Sequence, residues 1–111
     1  ADHYNDLLQQ LIGQVDITLT FVQKQNRSAW AQYTIQIDDR DHVHESLVAD
    51  GIPSAVHYPT VLFSQPVFQQ AISYCPHSVS FASKVMSLPM HPYLEAEAQS
   101  IVVEHLKKAL Y

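Results

Sequence analysis

His57 and Tyr58 place an imidazole and a phenol side by side, with Pro59 directly after them. Such a pair can donate and accept hydrogen bonds to hydroxyls, carboxylates or phosphates. The pair also has an ordinary reading, as a satisfied, partly buried histidine beside a core aromatic. The residues by themselves leave both readings open. A second imidazole lies in Leu88-Pro89-Met90-His91-Pro92-Tyr93, where two prolines mark a rigid turn and His91 reads as exposed.

Other chemistries find less support. Of the seven histidines, His42 and His44 are two apart and do not share a helical face. No H-E-x-x-H, C-x-x-C or H-x-x-x-H spacing occurs, so no metal ligands are expected, and a site built from distant histidines such as His57 and His91 is the remaining metal alternative. Gly13 and Gly51 are too far apart for a phosphate-cradling loop, and G-x-S-x-G is absent. A Schiff-base lysine needs a pocket that lowers its pKa. Lys84, in Ser-Lys-Val-Met, has no such context and reads as a surface residue. No catalytic residue is therefore assigned.

The bulk numbers narrow the class. The 111 residues are 47% hydrophobic and 15% charged, which fits one globular domain over residues 1–111. The net charge is -5, and the six Lys and Arg residues are scattered, so no basic stripe for nucleic acid is visible. No apolar run approaches the roughly 20 residues of a membrane span. The start, Ala-Asp-His-Tyr, lacks signal-peptide features, and the single Cys75 excludes an internal disulfide. A cytoplasmic location is the expectation. The first residue is Ala rather than Met, which leaves open a chain that is processed, cut, or cloned as a piece.

Periodicity supplies the elements that must position these groups. Tyr4, Leu7, Leu8, Leu11 and Ile12 predict a helix over 2–12, ended by Gly13. Ile17, Leu19 and Phe21 alternate with Thr18 and Thr20, predicting a strand over 16–22. A second strand is predicted over 30–37, with Tyr33, Ile35 and Ile37 on one face. Asp38, Asp39 and Asp41 precede a helix that Gly51 ends. A short strand is predicted over 54–58 and a helix from Pro66, with Val67, Phe68, Ala71 and Ile72 as its apolar side. Pro76 reads as a break and Ser78 as the cap of a short helical turn to Lys84. A strand over 85–88 and a final helix over 94–110 complete the chain. The fold class is α+β, a small, mainly antiparallel sheet with helices packed on one face.

Four blocks carry a resemblance. They are Arg27-Ser-Ala-Trp-Ala-Gln-Tyr-Thr-Ile35, Arg40-Asp41, Gly51-Ile-Pro-Ser-Ala-Val-His-Tyr-Pro59 and Leu88-Pro-Met-His-Pro-Tyr-Leu94. In order and spacing the chain resembles the C-terminal small domain of DegT/DnrJ-type nucleotide-sugar aminotransferases. The resemblance implies a fold-type I enzyme, a dimer that binds pyridoxal phosphate through a separate large domain. It implies that the parent transfers an amino group from an amino donor to a keto nucleotide-sugar. The Trp-Ala-Gln-Tyr-Thr variant resembles members that act on a 3-keto UDP-sugar acid. Carried over, His57 and Tyr58 would contact the sugar, with Gln32 and Tyr33 as weaker candidates. The cofactor-binding part is absent, so no cofactor and no catalysis are expected of this fragment alone. The alternatives are a non-catalytic small-ligand binding module and a related pyridoxal-phosphate sugar dehydratase.

Overall fold

The computed structural model describes residues 1–68 and 75–111. Helix α1 spans Asp2–Gln9 and buries Tyr4 and Leu8. Leu11 is also buried, but it lies in the turn that follows, so the helix ends before the apolar stripe does. Ile12, predicted on the stripe, is exposed for that reason. Gly13 has φ +85° in the same turn, a conformation that suits glycine.

Strand β1, Ile17–Leu19, pairs antiparallel with β2, Tyr33–Ile37, through Ile17 opposite Ile37 and Leu19 opposite Ile35. Strand β3, Val85–Leu88, lies on the other side of β2, with Tyr33 opposite Leu88 and Ile35 opposite Met86. Opposed residues share a face. Ile17, Tyr33, Ile35, Ile37, Met86 and Leu88 accordingly enter one core. Both early strands are shorter than predicted. The Thr20 hydroxyl donates to the carbonyl of Thr34 at 2.7 Å, taking the acceptor that the next ladder step would use. Phe21, expected on the inner face, is 83% exposed. At the other strand Trp30 has φ +50°, so extended chain begins only at Tyr33.

Helix α2, Arg40–Ala49, contributes Val43 and Leu47 to the core. Its end is a Schellman motif. Gly51 has φ +78°, its N–H donates to Val48 O at 3.0 Å, and the Ile52 N–H donates to Leu47 O at 2.8 Å. Ile52 is buried like Leu47, as the motif's hydrophobic contact requires. The predicted 54–58 strand shrinks to one residue: Ala55 exchanges both backbone hydrogen bonds with Ser87 on the outer edge of β3.

Two 3-10 turns follow, Leu62–Ser64 and Pro66–Phe68. The helix predicted from Pro66 is only a turn over these residues, and Ala71 and Ile72 lie outside the described ones. Helix α3, Pro76–Lys84, corrects another expectation. Pro76 opens it from the first turn, where its missing N–H costs nothing, and Cys75 rather than Ser78 is the capping position. Helix α4, Ala96–Leu110, buries Gln99, Val102, Val103 and Leu106. Its inward face is turned from the predicted stripe, and Ile101 is exposed. The fold is α+β, a three-stranded antiparallel sheet in the order β1-β2-β3, with α1, α2 and α4 supplying the helical half of the core.

Candidate functional site

The segment bearing His57 and Tyr58 is anchored upstream by three devices. The Schellman motif fixes where the chain leaves α2. His44 Nδ1 then shares a 2.7 Å hydrogen bond with Ser54 Oγ, tying the segment back to α2. The Ala55–Ser87 pair docks it on the sheet edge, with N–O distances of 3.0 and 2.8 Å. Beyond Ala55 the chain is free of the ladder. His57 and Tyr58 are both exposed, joined by a cis peptide bond, with rings edge-on at 5.8 Å. The anchored stretch therefore presents an unburied imidazole and phenol, the arrangement a ligand contact needs and a core pair does not.

Gln32 and Tyr33 are not brought to this pair. Thr34, Ser87 and Ala55 lie in one row across the sheet. From that row His57 runs toward the level of Val85, whereas Gln32 lies past the opposite end of β2. Ladder spacings put the two on the order of 15 Å apart. Gln32 is exposed, but Tyr33 has no accessible surface. Its hydroxyl donates to Asn5 Oδ1 at 2.5 Å, and its ring packs on Tyr4 at 4.9 Å and on Trp30 at 5.6 Å. Tyr33 is thus a core residue in this structure. Burial pushes its pKa up to about 12. Tyr4 reaches about 12 by burial and by the neighbouring Tyr33. Both phenols donate hydrogen bonds, Tyr4 to Pro89 O at 3.0 Å.

Arg40 is the positioning residue that periodicity does not reveal. Its side chain is 4% exposed. Nη1 donates to Val85 O at 2.8 Å and Nη2 to Ala82 O at 3.1 Å. These carbonyls lie where α3 passes into β3 and lack intrahelical donors. Nε is held by Asp41 at 2.6 Å, which gives the adjacent Arg-Asp pair a physical reason. Close by, Lys84 pairs with Asp38. That ammonium, and then a hydrogen bond from Asp16, hold the Asp38 carboxyl below its usual range. Asp16 is held above its usual range by the same hydrogen bond to Asp38 and by that residue's charge. Asp16, Asp38, Asp39 and His42 line an open cleft of about 480 Å³. A larger cleft, about 750 Å³, lies under the β1–β2 connection and holds Lys24, Arg27 and Trp30. Neither cleft is lined by His57 or Tyr58.

Residues 1–107 match the model of the DegT/DnrJ/EryC1/StrS aminotransferase family. The chain belongs to this family. Among its relatives, the UDP-2-acetamido-2-deoxy-3-oxo-D-glucuronate aminotransferase of Pseudomonas aeruginosa is 44% identical over 91 residues, 82% of this chain and 25% of the relative. A DegT/DnrJ/EryC1/StrS aminotransferase from Brucella abortus superposes with a TM-score of 0.85 at 33% identity, over 98% of this chain and 29% of that one. NtdA of Bacillus subtilis, solved with bound cofactor PMP, gives 0.83 at 26% identity, over 98% and 26%. The chain thus spans between a quarter and three-tenths of these family members.

Family members solved with PMP raise the question of whether this chain's residues suit such a cofactor. They do not. The group calls for an enclosed lysine, a carboxylate against the ring nitrogen and a phosphate cradle. Lys84 is engaged by Asp38, and Lys24 stands exposed in an open cleft. Among the described residues, nothing encloses a lysine beside such a carboxylate. No helix is long and apolar enough to cross a membrane, and no group of three His, Cys, Asp or Glu residues could hold a metal ion, again among the described residues.

Proposed function

We propose that these 111 residues are the C-terminal small domain of a pyridoxal-phosphate-dependent aminotransferase that aminates a keto nucleotide-sugar, a 3-keto UDP-sugar acid by preference. The observation that carries this reading is the family match over nearly the whole chain, joined to a His57–Tyr58 pair that is held up to solvent instead of buried. The 3-oxo-glucuronate substrate in the Pseudomonas relative's name supports the sugar class.

The chain's own residues bind and orient in this reading. His57 and Tyr58 present an imidazole and a hydroxyl to a carboxylate or hydroxyl of the sugar. Gln32 offers an amide from a separate edge of the domain, and Tyr33 holds the sheet end beneath it. The cofactor supplies the electron sink and belongs to the larger part of a longer protein. The small domain by itself is inactive, and the whole protein works as a cytoplasmic homodimer.

The test is an absorbance spectrum of the longer protein before and after borohydride reduction, with mass mapping of the lysine that carries the cofactor. A visible-edge band trapped on a lysine outside these 111 residues is the expected result. A colourless protein that takes up no added pyridoxal phosphate would leave a non-catalytic binding module in its place. Transamination by the 111-residue chain alone would contradict the assignment of catalysis to the longer protein.

A further inference from the structure

We infer that the cleft under the β1–β2 connection is a binding site for a phosphate-bearing small molecule, separate from the His57–Tyr58 pair and independent of its role. The cleft's volume, about 750 Å³, lies within the range of small-molecule sites.

Its charge runs against that of the molecule. The chain carries six Lys and Arg residues against eleven Asp and Glu, yet Lys24 and Arg27 converge on this one cleft. Arg40 and Lys84 are committed to carboxylates. Lys24 and Arg27 have no carboxylate partner within ion-pair distance among the described residues. Asp2 is the single carboxylate in the lining, so the cleft keeps an excess of positive charge. The planar guanidinium fork and the compact ammonium are complementary donors for a phosphate with several acceptor oxygens.

Neutral polar side chains share the lining. Asn5 Oδ1 accepts the Tyr33 hydroxyl, and the Asn5 amide NH₂ is still a donor there. Gln23 Oε1 accepts from Gln25 at 2.7 Å, and the Gln23 amide NH₂ is likewise still a donor. Trp30 adds an independent observation. It is a bulky residue at φ +50°, a conformation such residues rarely adopt and one that clusters at ligand sites. Its ring is half-buried and stacked on Tyr33 at 25°, which sets a flat apolar wall beside the two cations. A wall of that kind suits the organic part of a phosphate ester.

Trp30 is the only tryptophan and therefore a reporter in the wall itself. The 111-residue chain is titrated with inorganic pyrophosphate at low salt, following indole fluorescence and the indole N–H resonance. A saturable change is expected, weakened at least about tenfold in the Lys24→Gln/Arg27→Gln double variant and weakened as salt is added. Arg27→Lys, which keeps the charge but not the fork, is expected to fall between the two. Both altered positions are exposed loop residues, and an unchanged far-ultraviolet circular dichroism spectrum confirms that the variants fold. Glutarate serves as the carboxylate control. No saturable change up to about 10 mM, an affinity unaltered in the double variant, or tighter binding of glutarate than of pyrophosphate would each overturn the inference.

Discussion

At the scale of single residues, burial separates roles that residue type leaves open. His57 and Tyr33 are both polar aromatics next to another candidate, and the alternation of 33, 35 and 37 already points Tyr33 inward. Its loss of all accessible surface follows from that pattern. No local pattern predicts the exposure of His57, because it depends on where the chain leaves the Ala55–Ser87 pair. On the proposed reading, His57→Ala in the longer protein is expected to raise KM for the keto nucleotide-sugar about ten- to a hundredfold, the size of a lost hydrogen bond to a charged group. The cofactor absorbance should be unchanged in the same variant. Steady-state kinetics beside the spectrum checks both, and an unaltered KM would remove His57 from the binding surface.

At the scale of elements, the blocks behind the family resemblance turn out to be structural joints. The Gly-Ile-Pro block ends α2 and aims the chain at the site. Gly51→Ala meets no atom within 4 Å of the added Cβ, so its cost is conformational, set by φ +78°. A loss of about 1 kcal/mol is expected in urea unfolding, with the m-value unchanged. The Arg-Asp block is the second joint. Arg40→Met leaves the carbonyls of Ala82 and Val85 without their donor and is expected to destabilise by about 2–4 kcal/mol. Arg40→Lys should recover only part of this, since one ammonium does not reproduce the fork. Chemical denaturation of the three proteins checks the order. Periodicity alone makes the type and sequence of most elements legible, because apolar spacing at 2 and 3.6 follows the core-facing side. It misplaces their ends, which are set by side-chain devices. Thr20 closes β1 with its hydroxyl, and Pro76 opens α3 instead of breaking the chain. The strand expected over 54–58 fails for a tertiary reason, since only Ala55 finds a partner.

At the scale of the whole molecule, the aromatic centre ties the fold's stability to alkaline pH. Tyr4 and Tyr33 lie against each other with no accessible surface, and each donates its hydroxyl proton to a fixed acceptor. Ionising either would bury a charge and break that bond. Their folded pKa values, about 12, stand above the ordinary phenol value of 10.0. A raised folded pKa contributes stability that is fully present below the unfolded value and is lost as pH rises through the folded one. The window is therefore pH 10 to 12. A tenfold difference in proton affinity between folded and unfolded chain corresponds to about 1.4 kcal/mol. The two groups are not independent, because part of the rise at Tyr4 comes from Tyr33. Together they are expected to remove about 3–4 kcal/mol across the window, a large share of an ordinary domain's stability. Urea midpoints measured from pH 8 upward should stay level with respect to these groups to about pH 10 and then fall steeply. Tyr33→Phe lowers stability at neutral pH through the lost bond to Asn5, yet it should flatten the alkaline fall, since one of the two titrating groups is gone. A fall as steep in Tyr33→Phe and Tyr4→Phe as in the parent chain would place the alkaline sensitivity outside this centre.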